Sequence, residues 1–102
     1  MVHVLLLLAV LLCWPATGVL AQATGDPIVI GGLFAQSGPA AVVGTPSKLV
    51  AEMTVKQIND MGGVLGRPLK LISYDTESSP DVALRQARQL VEGDNVLAKG
   101  VF

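Results

Sequence analysis

Three glycines fall within five residues at positions 62–66, inside the stretch INDMGGVLGRPLKLISYD. Nothing else in the chain narrows the fold so much. A helix that ends in Asn59-Asp60-Met61 needs a residue at positive φ to turn away from its last carbonyls, and Gly62 supplies it. Gly63 and Gly66 let the chain reverse tightly without Cβ clashes. Pro68 restricts Arg67 to extended conformations and releases the chain into LKLISYD. There Leu69, Leu71 and Ser73 alternate with Lys70, Ile72 and Tyr74, the period-2 pattern of a strand. The turn therefore joins a helix directly to a strand and returns the chain to a sheet.

The flanking segments complete a repeating pattern. PIVIGGLF, residues 27–34, is a short β-branched run whose near-continuous apolar character suits a strand buried on both faces of a parallel sheet. Thr45-Pro46 offers a capping hydroxyl and a proline at the first helical position, which predicts a helix from Pro46 to Met61. Leu49, Val50, Met53, Ile58 and Met61 form its expected inner face, together with Ala51 and Thr54. Lys48, Glu52, Lys56 and Asn59 lie opposite, with Glu52 and Lys56 spaced for an i,i+4 pair. After Asp75, Ser79-Pro80 repeats the cap-then-proline signal, and Ser78 with Asp81 has capping-box spacing. A second helix follows, with Ala83, Leu84, Ala87, Leu90 and Val91 as its stripe and Gly93 as its stop. NVLAKGVF reads as a third strand, with Lys99 placing its end at an edge or in a frayed tail. The order β-α-β-α-β predicts an α/β layer with a parallel sheet and right-handed crossovers.

Composition removes several classes of function. The 102-residue chain has a net charge of -1 and 15% charged residues, so it carries no basic footprint for nucleic acid. VLLLLAVLLC, residues 4–13, is too short to span a bilayer as a helix. With Ala21-Gln22-Ala23 behind it, the segment reads as a secretory signal peptide over residues 1–23, cleaved after Ala23. A buried N-terminal element is the alternative. Leu12 before Cys13 does not fit a lipoprotein signal. Cleavage after Ala23 removes the single cysteine and the single histidine together. Disulfides, thiolate and zinc-thiolate chemistry and Ser-His-Asp triads then have no residues to use. No G-x-G-x-x-G or G-x-x-x-x-G-K-[ST] phosphate loop follows the first strand.

In open α/β sheets ligands sit beyond the carboxyl ends of the strands, near the point where strand order reverses. The first such loop is AQSGPAAVVG. Ser37-Gly38-Pro39 within it can offer a hydroxyl and backbone N–H groups to a ligand carboxylate; an ordinary polar turn is the competing reading. Asp75, at the end of the second strand, reads as turn and capping chemistry. Asn59-Asp60 reads as helix-end surface. Arg67, Arg85 and Arg88 read as solvated charges, with Arg85 in i,i+4 reach of Asp81.

Together, IVIGGLFAQSGP and INDMGGVLGRPLKLISYDTESSPDVALRQARQLV resemble the N-terminal segment of type I periplasmic binding proteins. The nearest group is the leucine/branched-chain amino-acid- and amide-binding proteins of ABC importers. GGVLGRPL, followed by YD and a Ser-Pro-capped helix, is the most specific part of the match. The resemblance implies a three-layer parallel-sheet lobe, present in part over residues 24–102, of a two-lobed α/β fold. It implies a non-enzymatic receptor without cofactor, located in the periplasm, that binds an amino acid or amide-like solute. Its partner would be an ABC permease of the inner membrane. A sensor domain of the same fold and a truncated product without function are the alternatives. Carried over residue by residue, the ligand-binding positions are Gln36, Ser37, Gly38 and Val43. Val43 stands where amino-acid binders can place an aromatic side chain.

Overall fold

A computed structural model describes residues 23–101. The signal-peptide reading of residues 1–23 falls, apart from Ala23, outside these residues. The described chain runs β1 (Ile28–Phe34), α1 (Ala41–Asp60), β2 (Leu69–Asp75), α2 (Pro80–Arg88), a wide π turn (Gln89–Gly93) and β3 (Ala98–Val101). The expected α/β fold is present. Both strand pairings of the described sheet are parallel, and the strand order is β2-β1-β3. β2 pairs along the whole of β1, from Ile28 with Leu69 to Phe34 with Asp75. β3 pairs from Ile30 with Ala98 to Leu33 with Val101 and forms an edge of the described sheet, with Lys99 exposed.

The chain moves from β1 to β2, then back past β1 to β3. Right-handed crossovers in opposite directions place the two helices on opposite faces. Side-chain neighbours agree. A Cβ on Gly31 would lie 2.9 Å from Leu90, just beyond α2, whereas one on Gly32 would meet the Phe34 ring and Leu71. Ala51 of α1 shares a recess with Ile30, Gly32, Phe34 and Leu71. The molecule therefore has three layers, α1, sheet and α2. Its most enclosed side chains are Leu33, Phe34 and Leu90, all at 1% exposure or less.

α1 departs from the sequence reading in start and orientation. It begins at Ala41, four residues before the expected Thr45 cap, with Pro46 inside it. Its cap residue Ala40 makes no side-chain bond. The early start follows from contact: Gly44 lies on the backbone of Ala35, so close that a Cβ would overlap the Ala35 carbonyl. The inward face carries Gly44, Lys48, Ala51, Val55, Ile58 and Asn59, all buried or half-buried. Leu49, Val50, Met53 and Met61, expected inside, are each more than half exposed. A helix lying this near a sheet selects small side chains at the contact, whatever the wider apolar stripe suggests. The ion pairs shift accordingly: Glu52 pairs with Lys48 at 3.5 Å and Lys56 with Asp60 at 2.6 Å. No Asp81–Arg85 pair forms among the described residues.

The glycine turn has the expected form, and its geometry is specific. Gly62 N–H donates to Asn59 O and Gly63 N–H to Ile58 O, the paired bonds of a Schellman C-cap. Gly62 and Gly63 have φ of 102° and 73°. Val64 and Arg67 then exchange two backbone bonds across Leu65 and Gly66, whose φ values of 52° and 76° mark a type I′ turn. Asn59 and Arg67 are structural here rather than free surface groups. The Asn59 carboxamide donates to Leu69 O and accepts from Leu69 N–H, clamping the end of α1 to the start of β2. Arg67 Nε donates to Asp26 O at 2.8 Å, tying the turn to the entry of β1.

Candidate functional site

Beyond the carboxyl ends of β1 and β2, two loops converge. Each closes a backbone bond of its own, Ala41 N–H to Gly38 O and Ser79 N–H to Thr76 O, and side chains join the two. The β1–α1 loop, residues 35–40, passes over Asp75, the last residue of β2. Asp75 Oδ1 accepts from Gln36 N–H at 2.8 Å and from Glu77 N–H at 2.9 Å. Oδ2 accepts the Ser37 hydroxyl at 2.8 Å. The N–H of Glu77, the Ser37 hydroxyl and the N–H of Gln36, in that order, hold the Asp75 carboxyl below its ordinary value; desolvation opposes them more weakly. The aspartate is therefore an ionised acceptor fixed in its own turn, as its sequence context predicts, and it also anchors a loop 38 residues away.

Ser78 makes the second tie. Its hydroxyl donates to Ser37 O at 2.7 Å and accepts Ala40 N–H at 3.0 Å. It is therefore not the cap of a capping box with Asp81. That cap is Ser79, which accepts Val82 N–H. Glu77 and Ser78 take φ of 55° and 56°, a left-handed conformation that costs a non-glycine residue about 1 kcal/mol. The bonds to Asp75 and Ser37 hold them there. Thr76 N–H donates to Phe34 O, extending the β1–β2 ladder to the loop base. Gln86 of α2 donates to Asp75 O at 2.6 Å.

Of the positions expected to touch a ligand, the structure brings Gln36, Ser37 and Gly38 together. Gly38 takes φ of 78°, and a Cβ there would lie 2.8 Å from Ser78 Oγ, so the close seating of the two loops needs glycine. Val43 lies apart on the first turns of α1. It lines an apolar groove of about 610 Å³ with Val42, Pro46, Ser47, Val50 and Ala51, and none of Gln36, Ser37 or Gly38 reaches that groove. The Ser37 hydroxyl, expected to be free for a ligand carboxylate, is donated to Asp75. Sequence reasoning missed Lys48, whose ammonium lies 3.2 Å from Gln36 Oε1 and fixes that carboxamide. The missed signal is the spacing from Gly44: Lys48 stands one turn further along the same inward face.

A second polar cluster lies on the α2 face. Tyr74 donates its hydroxyl to Asp94 Oδ2 at 2.7 Å, just past the π turn. That bond, desolvation and the aspartate's charge raise the phenol's pKa above its ordinary value.

Comparison with known proteins agrees with this fold. The family model for periplasmic binding proteins matches residues 27–100. A Leu/Ile/Val-binding protein homolog of Brucella abortus is 37% identical over 80% of this chain and 20% of its own. The Leu/Ile/Val-binding protein of Escherichia coli is 33% identical over 69% of this chain and 19% of its own. Among solved structures, the branched-chain amino acid transporter substrate-binding protein LivJ of Streptococcus pneumoniae, in complex with isoleucine, superposes with a TM-score of 0.71. It is 31% identical, over 72% of this chain and 21% of that one. The chain thus spans about a fifth of the length of the curated relatives it matches. On the match over residues 27–100, the chain belongs to the periplasmic binding protein family.

Proposed function

We propose that this chain is the amino-terminal part of an extracytoplasmic solute receptor serving an ABC importer, with branched-chain amino acids or related small amides as its solutes. The observation that carries this reading is the braced pair of loops at the carboxyl ends of β1 and β2. They lie beside the strand at which the sheet order reverses, where open α/β sheets take their ligands. The similarity to Leu/Ile/Val-binding proteins supports the solute class. In such a receptor the solute is enclosed between two lobes, and binding energy shifts the open–closed population. This chain would supply one wall of the cleft, with Gln36, Ser37 and Gly38 facing the solute and a permease as the acceptor of the loaded receptor.

A titration of the 15N-labelled chain with leucine tests the reading. A single wall encloses little of a ligand, so the expected affinity is millimolar rather than micromolar. The amide signals of Gln36, Ser37 and Gly38 should shift, while those of Gly62, Gly63 and Gly66 at the opposite end stay in place. No shift at the loop overturns the proposal. Intact mass from a periplasmic extract tests localisation and processing. A native amino terminus at Thr24 is expected, and a cytosolic product retaining residues 1–23 would remove the export half.

A further inference from the structure

We propose that Ser37 selects for hydrogen-bond donors: its hydroxyl oxygen accepts from an ammonium or N–H group of the solute, and Asp75 is the positioning residue that sets this polarity. The inference rests on the solute-receptor reading above and deepens it. An ionised carboxylate can only accept, so the single hydroxyl proton of Ser37 must lie along the 2.8 Å line to Asp75 Oδ2. Toward solvent, Ser37 is left with lone pairs. It is exposed, and no described residue donates to its oxygen. Donation to a full negative charge also enriches the hydroxyl oxygen in electron density and strengthens it as an acceptor.

The groups nearest the hydroxyl are already engaged. Gln36 N–H is given to Asp75, Ser37 O is occupied by the Ser78 hydroxyl, and Gln36 Oε1 by Lys48. A carboxylate approaching Ser37 would meet lone pairs with the Asp75 charge behind them. An ammonium would meet an acceptor and a favourable field. Asp75→Asn would reverse the arrangement. The amide oxygen can keep the two backbone N–H bonds, but the amide nitrogen donates to Ser37, whose own proton is then released toward the solute.

Two measurements on the full chain test this. The first follows the carboxyl 13C signal of Asp75 against pH. Ser37→Ala should raise its midpoint and Ser37→Thr, which keeps the hydroxyl, should restore it; an unmoved midpoint in Ser37→Ala overturns the proposal. The second compares leucine, leucinamide and 4-methylpentanoate, the analogue without an amino group, by shifts of the residue 37 amide signal. Leucine and leucinamide should move it in the native chain and 4-methylpentanoate should not. Ser37→Ala should weaken leucine roughly tenfold, and Asp75→Asn should turn the preference toward 4-methylpentanoate. A native chain that responds to 4-methylpentanoate as it does to leucine overturns the proposed polarity. A titration in which Asp75 behaves as expected but none of the three compounds moves any loop signal overturns the receptor reading, and the ligand half of the proposal with it.

Discussion

At the amino ends of the strands, the α1–β2 connection takes its shape from its own backbone: a Schellman cap, a type I′ turn and positive φ at Gly62, Gly63, Leu65 and Gly66. The Asn59 and Arg67 side chains then tie it to Leu69 and Asp26. At the carboxyl ends, the β1–α1 and β2–α2 loops are held by side chains that reach across nearly forty residues, from Asp75 to Gln36 and Ser37 and from Ser78 to Ser37 and Ala40. The first kind of closure depends on which residues can adopt a conformation. The second depends on where a carboxylate and a hydroxyl find partners. A backbone-held end fails by strain when a side chain is added. A side-chain-held end fails by lost bonds and responds to pH.

The largest expected effect lies at the backbone-held end. Gly63→Val places a Cβ into the Arg67 carbonyl at φ of 73°, and should cost about 3 kcal/mol in a urea melt. A loss below about 1 kcal/mol would mean that the turn yields, and that its glycines are less constraining than their φ values suggest. Asn59→Ala removes both bonds to Leu69, and should cost about 2 kcal/mol in the same assay. Leu65→Asn should act in the opposite direction. Leu65 is 96% exposed at φ of 52°, and asparagine tolerates that conformation better, so a gain of about 0.5 kcal/mol is expected.

The carboxyl end answers to acid. The folded-state pKa of Asp75 lies below its ordinary value of 3.8, so its bonds contribute in full above that value. The contribution is lost as pH falls through the lowered folded value. Amide exchange at Gln36 and Glu77, corrected for intrinsic rate, should therefore accelerate below about pH 4, before exchange at Gly63 does. Simultaneous acceleration at both ends would show one cooperative unit with no difference between them. The smallest effect belongs to neither end. Lys56→Ala breaks the exposed pair with Asp60 and should change stability by about 0.3 kcal/mol.

Reading the sequence worked where local conformation decides. The glycine turn, the bounds of β2 and the Ser79-Pro80 start of α2 each rest on residues adjacent in the chain, and each appears where propensity places it. The inward face of α1 was not legible in the same way. Leu49, Val50 and Met53 form the more apolar stripe, but the approach of the helix to Ala35 admits only Gly44 and small or slender neighbours. Nor could spacing show that Asp75 would bind Ser37, that Ser78 would serve two loops, or that Arg67 would reach Asp26. Those bonds exist because a parallel sheet brings the ends of successive strands side by side. The convergence of the two loops was thus identifiable from topology, while the direction of the Ser37 hydroxyl toward Asp75 was not.

The wide turn at Gln89–Gly93 bears on how this chain tolerates insertions and deletions. A π turn holds one residue more than the α-helix it interrupts. Asp94 N–H closes it by donating to Gln89 O, five residues back. Deleting Val91 would let the segment relax into ordinary helix with the same end point in the chain. Five residues of a π turn advance the chain by about the same angle as four of an α-helix, so everything after it would keep roughly its orientation about the helix axis. Asp94 would stay within reach of the Tyr74 hydroxyl, and the entry to β3 would keep its alignment with Val29. The extra residue is one that the fold stores in a widened turn, leaving the phase between α2 and the strand that follows unchanged.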